Sequence, residues 1–149
     1  MSYTERFSEG AELLYRLAPV SVASGAEVFT TYVHLEGFHR AIVKIAVGVM
    51  AGGSTIDAQL HQDYAAAGGG APKHVAGKLI TQLTQASGDS GSTVLIELRS
   101  EELDVDGGFD WIALGYTVGT AASLMAIEIW GLEPRYRPVA TTNLAEIVG

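Results

Sequence analysis

The sequence predicts a mainly β, single-domain antiparallel sandwich of jelly-roll type, with a short N-terminal helix or arm over residues 1–19 and a tail over 139–149. Three observations predict it. Apolar residues recur with period two in about seven short segments, the spacing of a half-buried strand. Eighteen glycines in 149 positions exceed the ordinary usage of about 7% and fall between those segments, where tight turns belong. Hydrophobic residues make up 48% and charged residues 17%, which excludes a disordered chain. A length of 149 residues is one domain, long enough to bury roughly two-thirds of its unfolded surface without staples.

Taken in order, residues 4–17 place Phe7, Leu14 and Leu17 near one helical stripe. The stripe is weakened by Gly10 and stopped by Pro19. Residues 26–35 are rich in β-branched and aromatic types and predict a strand. The Glu36-Gly37 turn after it predicts a hairpin with the next segment. In residues 39–50, Ala41, Val43, Ile45, Val47 and Val49 line one face while Arg40 and Lys44 fall on the other. In 55–62, Ile56, Ala58 and Leu60 are expected inward, with Thr55, Asp57, Gln59 and His61 outward. The small-residue tract 65–72 predicts a loop tip or interface loop. Val75, Leu79 and Leu83 recur every four residues and suggest a short helix, against which Gly77 counts. Strands follow at 93–99, with Val94, Ile96 and Leu98 inward, and at 109–118, with Ile112, Leu114, Tyr116 and Val118 on one face. The last is at 123–130, with Met125, Ile127 and Ile129 inward.

The formal charge is −8, and the segment Glu97–Asp110 carries six acids against the single base Arg99. A chain of this sign repels phosphate backbones and anionic membrane surfaces, so neither nucleic acid nor a membrane is expected as a partner. There is no cysteine, which excludes disulfides, thiolate nucleophiles and Cys-based zinc sites. The first residues lack the basic start and apolar core of a signal peptide. The longest uncharged run, Trp111–Ile127, is 17 residues and is interrupted by Gly115, Gly119 and Ser123, so it reads as a strand pair.

No motif carries catalysis. The alternating carboxylates from Asp104 to Asp110 suit the oxygen preference of calcium, but the EF-hand spacing is missing, so they read as a solvated acidic turn. Glu101, Glu102 and Asp104 offer a carboxylate pair for glycoside hydrolysis, with nothing nearby to push their pKa values apart. His34, His39, His61 and His74 show no metal-ligand spacing, although His34 and His39 flank a turn. GxSxG, Walker A and GxGxxG are all absent. No catalytic, cofactor-binding or metal residue is therefore expected. Arg135-Tyr136-Arg137, between two prolines, is the one compact basic-aromatic motif. It suits a carboxylate-bearing partner, or closes the sandwich end against the protein's own acidic loop. Pairing of Glu101, Glu102, Asp104 and Asp106 with Arg135 and Arg137 of a neighbouring copy is the expected inter-subunit contact.

Residues 34–70 present a Gly-aromatic turn (Gly37-Phe38), an apolar strand ending in Gly48, a Gly52-Gly53 turn, a TxxAxxxQ-like strand from Thr55 to Gln62 and the loop Ala65–Gly70. This order, continued through Ala76-Gly77-Lys78, Glu102-Leu103-Asp104, Gly108-Phe109 and Gly131–Pro138, resembles a family of small structural proteins of tailed bacteriophages and related gene transfer particles. The resemblance covers roughly Val20 to Pro138 and rests on turns and composition. It implies a non-enzymatic virion component, a capsid decoration protein or head-spike base. Such a protein would be made in the cytoplasm of a bacterial host and sit on the outer surface of the head. Its partners would be the major capsid protein or neighbouring virion proteins, and copies of itself. A tail-tube or head–tail joining protein is the alternative within the same particle. A mean hydropathy of +0.23 with few charges agrees with a homo-oligomer that covers more than one face. Two readings from other classes are a carbohydrate-binding sandwich for host attachment, with Tyr64, Trp111 and Trp130 as candidate aromatics, and a hydrolase using the 101–110 acids.

Overall fold

The computed structural model describes residues 4–148. The ends of the expected arm and tail, residues 1–3 and Gly149, lie outside the described residues. A single helical turn, α1 (Phe7–Gly10), precedes ten strands: β1 (Ala11–Val22), β2 (Val28–Phe29), β3 (Val33–His34), β4 (Phe38–Met50), β5 (Thr55–Asp63), β6 (Lys73–Leu79), β7 (Leu83–Thr84), β8 (Thr93–Arg99), β9 (Trp111–Gly119) and β10 (Ser123–Pro134). All the pairings are antiparallel.

One sheet, A, has the order β1-β10-β4-β8, and the other, B, runs β2-β9-β5-β6. In sheet B, β3 pairs β9 alongside β2, and β7 pairs β5 alongside β6, so each sheet is in effect four strands wide. The first strand therefore lies beside the last, and the second beside the one before the last. That nesting is the jelly roll, and the expected β-sandwich is what the chain forms. Val43, Ile45, Ile127 and Ile129 from sheet A meet Ile56, Leu60, Ile112 and Leu114 from sheet B, all with no exposed surface. Each such side chain contributes roughly 1.5–3 kcal/mol of burial, so the interlayer is the main source of stability.

Four expectations are corrected. The N-terminal helix is one turn only. Leu13, Tyr15 and Leu17 are spaced by two and pair with Trp130, Ile129 and Ile127, so β10 recruits the segment as an edge strand. Pro19 lies in the irregularity between Leu17 and Val20, on an edge where its missing N–H removes no ladder bond. The segment 26–35 is split into β2 and β3, and it forms no hairpin with β4. At Glu36-Gly37 the chain crosses from sheet B to sheet A, anchored by the buried Leu35 and Phe38, whose backbones bond at 3.0 Å. Val49 is 70% exposed while Met50 is buried, because the register slips opposite Ser123–Met125 and exchanges the two. Residues 73–84 form β6 and β7 in place of a helix. Val75 is buried, Leu79 is exposed, and Gly77 takes a left-handed φ of +72°.

Candidate functional site

The outer face of sheet B carries the most structured group of polar and aromatic side chains. Its centre is Gly115 on β9. A Cβ there would lie 2.4 Å from Glu27 Oε1, 2.9 Å from His61 Nε2 and 3.0 Å from the Phe29 ring. The missing side chain is what lets these three groups converge on the strand backbone. His61 Nε2 and Gln59 Nε2 each approach Glu27 Oε1 at 3.3 Å. The Phe29 ring stands edge-on to His61, with centroids 4.8 Å apart, and His74, across the β5–β6 register, lies 4.4 Å from His61. Burial pushes the His61 pKa down, the charge of His74 adds to that, and Glu27 opposes both.

His61, expected outward, does face outward, yet it is buried among Phe29, Glu27 and His74, next to a cleft bordered by the 64–72 loop. Asp63 holds that loop. Its carboxylate, with no exposed surface, accepts the backbone N–H groups of Tyr64 (2.7 Å), Ala65 (3.3 Å), Gly70 (3.1 Å) and Ala71 (3.0 Å). Burial alone would raise the Asp63 pKa, but the four amides together outweigh it and hold the carboxyl below its usual range. Between the loop and the β2–β3 connection lies a cleft of about 620 Å³, lined by Phe29, Thr30, Thr31, Tyr32, His61, Gly68 and Pro72. The Tyr32 hydroxyl pKa is raised, first by burial and then by the charges of Asp63 and Glu27.

The acids singled out from sequence sit on the neighbouring end of the sandwich and meet partners in their own chain. Glu102 accepts the Arg99 N–H (2.7 Å) and pairs with Lys78 (2.9 Å), and these contacts, the Arg99 amide first, lower its pKa. Asp104 pairs with Lys73 and accepts the Gly107 N–H at 3.0 Å. Its pKa is lowered chiefly by Lys73. Glu101 pairs with Arg99 at 3.3 Å, and Asp106 is exposed. Arg135 reaches Ser100 Oγ at 3.3 Å at the head of the acidic loop, while Arg137 pairs with Glu5. Among the described residues, no three His, Asp or Glu side chains are placed to hold a metal ion.

His34 and His39 do not meet. His34 bonds Asp110 at 2.7 Å and stacks on Trp111 with centroids 4.4 Å apart, and His39 is exposed on β4. Of the three candidate aromatics, Trp130 packs under Phe7 and donates its indole N–H to Glu128. Trp111 lies against His34, and Tyr64 stands exposed. Sequence reasoning passed over Glu27, Phe29, Tyr32 and Asp63. The signals were a glycine inside an apolar strand and an aspartate opening a small-residue loop.

Fold and site thus define a jelly-roll sandwich with a cleft upon one outer face. Among known proteins, the chain matches no family model, and no curated protein matches it. No helix among the described residues is long and apolar enough to cross a membrane.

Proposed function

We propose that this chain is a non-enzymatic structural component of a tailed-phage particle, one that binds the capsid as a homo-oligomer on the outer surface of the head. The supporting observation is the outer face of sheet A. There Leu95 (55% exposed), Leu124 (43%) and Val49 stand beside Ala46, Ala126 and Ile42, among the charged row Arg16, Glu128 and Lys44 and the outward Arg40, Glu97 and Arg99. Exposed apolar side chains on a sheet face call for a cover, and the capsid lattice or a second copy supplies it. Charge pairing between copies belongs to the same proposal. Glu101, Glu102, Asp104 and Arg137 already have own-chain partners, so the pairing falls mainly on the exposed Asp106 and on Arg135.

The test is sedimentation of the protein alone and with purified capsid shells, for the wild type and Leu95→Glu. Self-association or capsid binding that the variant loses supports the proposal. A strict monomer with no affinity for shells overturns it.

A further inference from the structure

We propose that the cleft between Phe29, Tyr32, His61 and Pro72 is a binding site for an organic cation with an apolar body, an alkylammonium or guanidinium group. This inference stands apart from the particle reading. The walls are a Phe29 ring left 46% exposed, the Tyr32 ring, the His61 imidazole and Pro72. Ring faces attract a cation that has shed water, and apolar walls take up its hydrocarbon. One carboxylate stands beside the space. Glu27 lies over the Gly115 backbone and approaches His61, a wall of the cleft, at 3.3 Å, whereas the Asp63 carboxylate is fully buried and spent on the loop amides.

No lysine or arginine lines the cleft to offset the nearby Glu27. Lys73, next in the chain to Pro72, is committed elsewhere: its ammonium pairs with Asp104 and lies 4.1 Å from the Phe109 ring centroid. An anion would be repelled by Glu27, and a neutral apolar guest would gain nothing from its charge. A cation answers both the ring walls and the charge.

The His61 ring must stay neutral for this, since an imidazolium would occupy Glu27 and repel the guest. The titratable groups against it are Glu27 at 3.3 Å and His74 from β6, with ring centroids 4.4 Å apart, and Tyr32 lines the same cleft. Binding therefore weakens as the pH falls below the ordinary histidine range.

The experiment is a titration of the full chain at low salt and neutral pH, followed by calorimetry and by amide NMR shifts. The probes are choline, its neutral isostere 3,3-dimethylbutan-1-ol, and N-acetylarginine amide. A saturable shift of the Thr30, Thr31 and Gly68 amides by either cation is expected, with the alcohol bound about tenfold more weakly. Tighter binding of choline assigns the site to a free small molecule; tighter binding of the arginine derivative assigns it to a side chain of a protein partner. Phe29→Ala and Glu27→Gln should each weaken the cation about tenfold. Glu27→Gln keeps a side-chain oxygen for Gln59 and is readable even if Phe29→Ala does not fold. Equal binding of choline and the alcohol overturns the proposal, as does cation affinity unchanged by Glu27→Gln or shifts confined to the 101–110 loop.

Discussion

Thr30 bridges the gap between β2 and β3, and its removal is the sharpest test of how this edge of the site is held. Its backbone N–H donates to Leu114 O at 2.9 Å, and its Oγ1 accepts the Leu114 N–H, also at 2.9 Å. A side chain thus replaces the backbone acceptor that a continuous strand would supply. Thr30 is 3% exposed and Leu114 fully buried, so water cannot stand in. Thr30→Val keeps the shape and removes only the acceptor, leaving a buried amide unpaired at a cost of about 1–3 kcal/mol. For a domain of this size, about 2 kcal/mol corresponds to a fall in Tm of roughly 4–8 °C.

The assay is calorimetric melting of the wild type, Thr30→Val and Thr30→Ser, with hydrogen exchange read at Leu114. The serine variant keeps the hydroxyl and loses one methyl, about 0.8 kcal/mol of transfer energy, so it should melt between the other two. Leu114 should lose exchange protection in the valine variant and keep most of it in the serine variant. A valine variant that melts with the wild type, or a serine variant less stable than valine, would show that the Thr30 hydroxyl does not hold the Leu114 amide.

Two further perturbations act on the same face. The folded pKa of His61 lies below the unfolded value of about 6.5, so the fold prefers the neutral ring. That preference costs nothing above pH 6.5. Stability then declines as the pH falls from about 6.5 toward the folded pKa, and His61→Gln should flatten this decline in urea unfolding; an identical pH slope in the variant would contradict it. Gly70→Ala would place a Cβ 2.2 Å from Asp63 Oδ1 and 2.8 Å from the Tyr64 ring, so the loop must open, and the Tyr64–Ala71 amides should lose exchange protection. Unchanged exchange there would show that Asp63 does not fasten the loop.

The inward faces of β4, β8, β9 and β10 are legible in the sequence, Val49 excepted, because the large apolar residues on each keep period two, even on β9, where Ala113 and Gly115 of the outer face are buried as well. β1 is not, because Phe7, Leu14 and Leu17 mimic a helical stripe, and only the presence of β10 favours the spacing of Leu13, Tyr15 and Leu17. The crossing at Glu36-Gly37 is hidden for a similar reason: a hairpin and a change of sheet both need a turn there, and the choice is made by which partner each strand finds. The site is the least legible part. The alternation correctly turns His61 outward, but its burial depends on Phe29, Glu27 and His74 arriving from other segments, and the loop beside the cleft is shaped by Asp63 rather than by its own composition.

The two outer faces of the sandwich end up with different covers, and this separates the two proposals. At one end of sheet A, α1 and the C-terminal segment lie over the strands, through Phe7 on Trp130 and the Asn143 amide on the Leu13 carbonyl at 2.7 Å. The rest of that face keeps Val49, Leu95 and Leu124 bare. Sheet B retains a cleft bordered by its own loop. The core lies between the faces, and their side chains share no contact network, so substitutions on them should act independently. Leu95→Glu should therefore abolish association while leaving choline or arginine-amide binding intact, and Glu27→Gln should weaken cation binding about tenfold while leaving association intact. If Leu95→Glu also removed cation binding, the cleft would be completed only in the oligomer, and the two faces would belong to one interface.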